Sequence, residues 1–409
     1  MEIDQKTVIE QVPPGTVAEV DNNCWWSVSN YIQWCPTSMY HLKRAESRIL
    51  KVIKTAYEAK YVNIGKCVGG TENKIWTLML NKDAEKTPLV MLHGFASGVA
   101  LWCLNLDTLA RERPVYAIDL LGFGSSSRPH FSSNALEAES EMVKSIEEWR
   151  KQIGLEKFVL LGHSMGGFLA SAYALQHPDR VSHVVLADPW GFPDRPSGND
   201  SNNRIRIPPW VKGIAYLLQP FNPLWLIRVS GRLGPHIVRK ARPDIFQKYA
   251  ETVEDADEAI SQYVYHCNAQ SPTGESCFHA MMASFGWAKY PMLHRIPALR
   301  SDIPLTFIYG ARSWVDRHPG QIIKDSRKES TVELHVIGGA GHHVYADKTE
   351  EFHHLVLTAC KTTDNSKEVI ELTVDEKPTA EEERVHELQT EISQSVLGAL
   401  QATETLENP

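Results

Sequence analysis

The chain has 409 residues, of which 43% are hydrophobic and 22% charged, enough apolar material for one large domain with an insertion or for two domains. Its formal net charge of -8 belongs to the end of the chain: residues 362–409 hold 12 Asp and Glu against 3 Lys and Arg, which leaves residues 1–361 near +1. A near-neutral body with neither a Gly-rich phosphate loop nor a metal-spaced His/Cys cluster gives no basis for nucleic-acid binding, a metal centre or an organic cofactor.

No run approaches 18 consecutive apolar residues, and the opening MEIDQKTVIEQV is acidic where a secretory leader would be basic, so a cytosolic protein is expected. The seven cysteines are scattered and contain no C-x-x-C pair, as expected of reduced structural thiols. Residues 1–45 read as an arm. Within it, CWWSVSNYIQWCPTSMY concentrates Trp25, Trp26 and Trp34 in a segment too short to span a bilayer. Large rings with a polar handle favour the headgroup region, which makes these three residues candidates for membrane contact. A charged helical stretch, HLKRAESRILKVIKTAYEAKY, follows.

From Trp76 to Asp188 short apolar runs (WTLML, PLVML, PVYAIDL, KFVLL, HVVLAD) alternate with helical patterns such as ALEAESEMVKSIEEWRKQIG. That alternation predicts an α/β protein with a mostly parallel, doubly wound sheet, and uniformly apolar strands are those covered on both faces. The pattern breaks over about residues 192–300, which are helical where periodic, and resumes with PLTFIYG and VELHVIGG. The interruption reads as a lid inserted late in the sheet of one domain spanning 46–361. The acidic segment 362–409 reads as a disordered tail, although Val385, Leu388, Ile392, Val396 and Leu400 share one helical face.

Gly162-His163-Ser164-Met165-Gly166 matches G-x-S-x-G between the strand KFVLL and the helical run FLASAYALQ. A serine on that turn is held strained and exposed at a helix N-terminus, and the free amide of Met165 there favours a developing oxyanion. The second donor is expected from the loop His93-Gly94-Phe95 after PLVML, with the Phe95 amide as candidate and His93 as a brace. An acid and a histidine should follow near late strand ends. Asp316 lies six residues beyond Gly310, and His342 follows VELHVIGG. His343 competes for the role of base, and Asp188 for that of the acid, but Asp188-Pro189 looks more like the hinge into the lid. The glycine-rich run Asp119–Ser127 reads as a tight turn lining the pocket. Together these residues specify acyl transfer by Ser164, His342 and Asp316 without a cofactor.

WCPTSMYHLKRAESRIL, TPLVMLHGFASGVALW, DLLGFGSSSRP, LLGHSMGGFLASAYA, YHCNAQSPTGES and GGAGHHVYAD resemble one branch of the α/β-hydrolase-domain proteins, over roughly residues 34–360. That branch holds N-acylphosphatidylethanolamine lipases of lysophospholipase type and the coactivator of adipose triglyceride lipase. The coactivator carries Asn at the nucleophile position, whereas this chain keeps Ser164. The resemblance therefore implies fatty-acid release from N-acylphosphatidylethanolamine, its lyso form or other lysophospholipids. It also implies a peripheral place on lipid droplets or intracellular membranes, with a lipase or droplet protein as a partner. Two alternatives come with it: a non-catalytic coactivator, and acylation of lysophosphatidic acid through His-x-x-x-x-Asp, here His342 to Asp347. Asp347 is otherwise expected to cap the following helix. Arg228, Arg232, Arg239, Lys240 and Arg242 of the lid stand either as phosphate receivers or as a solvated helix face.

Overall fold

The computed structural model describes residues 11–12, 37–195, 224–284 and 286–364. Trp25, Trp26 and Trp34, the start of the lid and the acidic segment beyond 364 lie outside them. In chain order the elements are β1 (Gln11–Val12), α1 (Met39–Leu50), β2 (Tyr57–Gly65), β3 (Asn73–Leu80), β4 (Leu89–Leu92), α2 (Leu106–Leu109), β5 (Val115–Ile118), α3 (Ala135–Ile153), β6 (Phe158–His163), α4 (Met165–Gln176) and β7 (Val181–Ala187). The insertion contributes α5 (Trp225–Val229), α6 (Gly234–Ala241), α7 (Pro243–Gln247), α8 (Ala256–Asn268), α9 (Thr273–Met281), β8 (Met282–Ser284) and β9 (Trp287–Ala288). The sheet resumes with β10 (Leu305–Gly310), α10 (His318–Ser326), β11 (Val332–Ile337), α11 (Val344–Asp347) and α12 (Thr349–Asp364).

Among the described residues the main sheet has nine strands in the order β1-β2-β3-β5-β4-β6-β7-β10-β11. From β5 to β11 all neighbours are parallel, while β1, β2 and β3 add antiparallel pairs at one edge. Every residue of β4, β5 and β6 is buried, because helices cover both faces of the central strands. The helix expected to run through TAYEAKY stops at Leu50 instead. Residues 57–65 pair along β3, with a bulge between Asn63 and Gly65, and this cross-strand pairing outweighs local helical propensity.

Helix α3 has the ends its sequence encodes. The Asn134 side chain accepts hydrogen bonds from the amides of Leu136 and Glu137, and Gly154, at φ 80°, closes the C-terminus in the left-handed region. Its buried stripe of Ala138, Met142, Val143, Ile146 and Trp149 repeats at helical spacing against the sheet. The insertion leaves the sheet after Asp188 and returns at a neck where Met292 and Leu293 donate backbone hydrogen bonds to Gly191 and Phe192. Its last part is core rather than lid, since Met292, Ile296 and Leu299 are buried against the sheet.

The domain extends slightly past residue 361. Helix α12 runs to Asp364, whose carboxylate accepts a 2.7 Å hydrogen bond from the buried Arg113 guanidinium and a 3.2 Å bond from the Thr87 amide. Burial opposes ionisation of Asp364, but its hydrogen bonds and the Arg113 charge hold the carboxyl below its ordinary value. Replacing Asp364 by Ala leaves Arg113 without its counter-charge and is expected to cost about 2 kcal/mol at neutral pH in denaturant unfolding. A carboxyl with a lowered native pKa stabilises fully above its unfolded value, about 3.9, and loses that contribution as pH falls through the native value. The stability gap between wild type and variant should therefore narrow below about pH 4.

Candidate active site

Ser164 occupies the single residue between β6 and α4, with φ 52° and ψ -118°. A side chain in that region costs on the order of 1–3 kcal/mol and persists only where its surroundings dictate it. Here they do. The Ser164 amide donates to the Ala187 carbonyl of the neighbouring strand at 3.0 Å, and the Ser164 carbonyl accepts from the amides of Gly167, Phe168 and Trp190. The flanking glycines are required by contact: a Cβ at Gly162 would lie 2.2 Å from the Gly166 carbonyl oxygen, and one at Gly166 would lie 2.4 Å from that of Leu92.

The His342 Nε2 lies 3.0 Å from Ser164 Oγ, and its Nδ1 lies 2.5 Å from Asp188 Oδ2. With Nδ1–H donated to the carboxylate, Nε2 is left as the acceptor for the serine hydroxyl. Asp188 is fully buried just beyond β7, at φ 46°. Its Oδ1 accepts from the Gly310 amide at 3.2 Å, and its Oδ2 also accepts from the Ser313 hydroxyl. Burial, reinforced by the charges of Arg242 and Lys248, holds the His342 imidazole below its ordinary pKa, so it is neutral at pH 7 and able to take a proton. A carboxylate held at Nδ1 in this way is placed where it could stabilise an imidazolium.

Asp316, expected as the acid, is not at His342; its carboxylate accepts from the His318 amide at the start of α10. The reason is strand order. β7 lies directly beside β6, so its last residues emerge next to Ser164, whereas β10 is one strand farther away. Position 313 is what reaches inward from the end of β10, and it offers a hydroxyl to Asp188. The signal for Asp188 was present in the sequence, in an aspartate ending the strand after the one that carries the nucleophile. Ser313 and His163 had no such signal. His163 Nε2 donates to the His342 carbonyl at 2.9 Å, bracing the loop from the elbow itself. His343 does not compete, because it turns beside His342, with ring centres 5.5 Å apart, and its carbonyl starts α11.

The Gly94–Phe95 peptide is adjacent to the nucleophile, since a Cβ at Gly94 would fall 3.1 Å from Ser164 Cβ. The amides of Phe95 and Met165 donate to no other group among the described residues. His93 accepts from the Leu120 amide through Nε2 at 3.0 Å and donates from Nδ1 to the Gly94 carbonyl at 2.7 Å, which makes it the expected brace. Beneath this loop the buried Asp119 carboxylate accepts from the amides of Val99 and Ser125. The Phe95 ring stacks on Phe278 of the insertion at 4.5 Å.

Asp347 does not cap α12. One of its oxygens accepts from the Gly341 amide at 2.9 Å, and the other pairs with Lys248 of the insertion. Of the lid cations, Arg228 is committed to Glu275 at 2.7 Å, while Arg239 and Arg242 pair with Asp257 and Asp244 on the surface. No helix among the described residues is long and apolar enough to cross a membrane, and these residues contain no cluster suited to a metal ion.

A serine on a strained strand-to-helix elbow, with histidine and acid from later strand ends of a mostly parallel sheet, places this chain in the α/β-hydrolase fold family, whose signature matches residues 87–349. Within that family it belongs to the branch of two named groups. It is 48% identical to the (lyso)-N-acylphosphatidylethanolamine lipase of Homo sapiens, over 83% of this chain and 97% of that protein. It is 47% identical to the 1-acylglycerol-3-phosphate O-acyltransferase ABHD5 of Mus musculus, over 85% of this chain and 97% of that one. Among solved structures, naproxen esterase (carboxylesterase NP) from Bacillus subtilis superposes with a TM-score of 0.53 at 16% identity, over 78% of this chain and 96% of that one, a likeness of fold.

The two candidate acids separate cleanly by mutation. Asp188→Asn is expected to lower kcat by roughly 10⁴-fold, through loss of the correct histidine tautomer, whereas Asp316→Asn should stay within a few fold of wild type. Equal losses in steady-state assays of the two variants would contradict this assignment.

Proposed function

We propose that this chain is a serine hydrolase that releases a fatty acid from an acyl-ester lipid, N-acylphosphatidylethanolamine and its lyso form or other lysophospholipids. The observation that carries the reading is the continuous hydrogen-bonded relay from Ser164 Oγ through His342 to Asp188. His342 Nε2 takes the hydroxyl proton as Oγ attacks the ester carbonyl, and the amides of Phe95 and Met165 receive the oxyanion. The imidazolium then protonates the departing alcohol oxygen. Water, deprotonated by His342, attacks the acyl-enzyme and frees the acid. None of these steps calls for a metal or an organic cofactor.

The lipid part of the reading draws on the names of the relatives and on the Trp-rich segment. That segment leads into α1 through Met39 and Tyr40, both exposed, as suits a peripheral contact with a droplet or an intracellular membrane. The acyltransferase reading draws on the ABHD5 relatives and on His342-x-x-x-x-Asp347. Both residues of that motif have roles without acyl-CoA, His342 at Ser164 and Asp347 at Gly341. The coactivator reading needs no reactive serine at all.

One assay separates the three. Acid release from a panel of N-acylated and ordinary lysophospholipids should fall by on the order of 10³-fold or more in Ser164→Ala, and fluorophosphonate labelling should vanish with it. Acid release that survives Ser164→Ala would sink the hydrolase reading, and an acyl-CoA-dependent product that survives it would favour the acyltransferase. Replacing Trp25, Trp26 and Trp34 together by Ala should abolish vesicle binding while leaving hydrolysis of a soluble ester intact.

A further inference from the structure

The loop that carries His342 is held from two sides. From the elbow, His163 donates to the His342 carbonyl. From the other side, Asp347 at the end of α11 accepts the amide of Gly341, the residue just before His342. The second oxygen of Asp347 binds Lys248, which follows α7 in the insertion, so a single carboxylate joins the histidine loop to the lid. The side chains of Lys248 and Asp347 are only 12% and 17% exposed, so their attraction is little screened by solvent. The adjacent Tyr249 anchors the same stretch of lid by donating to the Leu101 carbonyl at 2.8 Å.

We propose that Lys248 and Asp347 form a tie between the insertion and the histidine loop, in which Asp347 is a positioning residue that holds His342 in register with Ser164. The inference rests on the reading of Ser164, His342 and Asp188 as the reactive relay. It assigns Asp347 a task other than acyl transfer. Lys248 offsets the charge of Asp347 and fixes its free oxygen, so the carboxylate has one orientation in which to hold the Gly341 amide. Without that pair the orientation is less fixed and the Nε2 to Oγ alignment loosens, and small displacements at a reacting centre are expensive.

The pair also sets the field at His342. Facing the imidazole are Asp188 from the end of β7, His163 from the elbow, His343 from its own loop, Arg242 and Lys248 from the lid, and Asp347 from α11. Lys248 disfavours the imidazolium and Asp347 favours it, so removing either one moves the histidine's titration in opposite directions.

The test is the pH dependence of fluorophosphonate labelling of Ser164 in the full chain, which reads the serine without assuming a lipid substrate. Asp347→Asn keeps an acceptor for the Gly341 amide but loses the ion pair. It should slow labelling by on the order of tenfold. Its acid limb should move to lower pH by about half a unit, since less negative charge supports the imidazolium. Lys248→Met leaves Asp347 and its Gly341 bond in place and should shift that limb to higher pH. Lys248→Arg, which preserves the pair, should label like wild type, and the Lys248→Met/Asp347→Asn double variant should be no slower than Asp347→Asn alone. Labelled wild type with both single variants matching it in rate and acid limb would overturn this inference alone, as would uniform slowing with an unmoved limb. No labelling of Ser164 in the wild type would sink the relay reading and this inference with it.

Discussion

The site depends on one packing constraint, the close approach of β6 and α4 around Ser164. Strand and helix meet across Gly162 and Gly166 with no room for a Cβ on either, and the chain can turn between them only if Ser164 takes a backbone conformation that side chains avoid. The cost is offset by β7, whose Ala187 carbonyl holds the Ser164 amide, and by the three amides that converge on the Ser164 carbonyl. The same turn points the hydroxyl away from the sheet at the N-terminus of α4. It brings the Met165 amide beside it and lets the Gly94–Phe95 peptide approach from β4. The placing of the Ser164 hydroxyl and of the candidate oxyanion donors thus follows from a single geometric necessity.

Around that elbow Asp188 and His342 sit on neighbours whose positions follow from sheet order. β7 and β10 lie on the same side of β6, so an aspartate ending β7 is next to the serine, and the end of β10 can supply only its supports, the Gly310 amide and the Ser313 hydroxyl. A fully buried carboxylate needs partners for both oxygens, and Asp188 has them. His342 hangs from a loop with no regular structure of its own. Its placement is delegated to His163 on one side and Asp347 on the other, which brings the insertion into the electrostatics of the imidazole.

The strands, the helices between them and the elbow were legible in the sequence because each is written locally: apolar runs for two-sided burial, Asn134 and Gly154 at the ends of α3, and small residues around Ser164. The choice of His342 was legible for the same reason, as the histidine nearest a strand end. The extent of α1 was not, because the pairing of Tyr57–Gly65 with β3 is a contact across the sheet that local periodicity cannot register. Neither was the closing role of Asp364, whose partner Arg113 lies 251 residues away.

The sequence by itself determined the fold class and the elbow that carries Ser164, and it pointed to His342 and to both candidate oxyanion positions, since these occupy fixed offsets from strand and helix ends. Only the tertiary structure decided which of Asp188 and Asp316 sits against His342. Both follow strands, and what distinguishes them is which strand lies beside β6, a matter of lateral order that no spacing along the chain encodes. The same holds for Asp347. Its place just before a helical stretch suggested a helix cap, but the fold brings Lys248 of the insertion to one of its oxygens and the Gly341 amide to the other, which makes it a link between insertion and histidine loop.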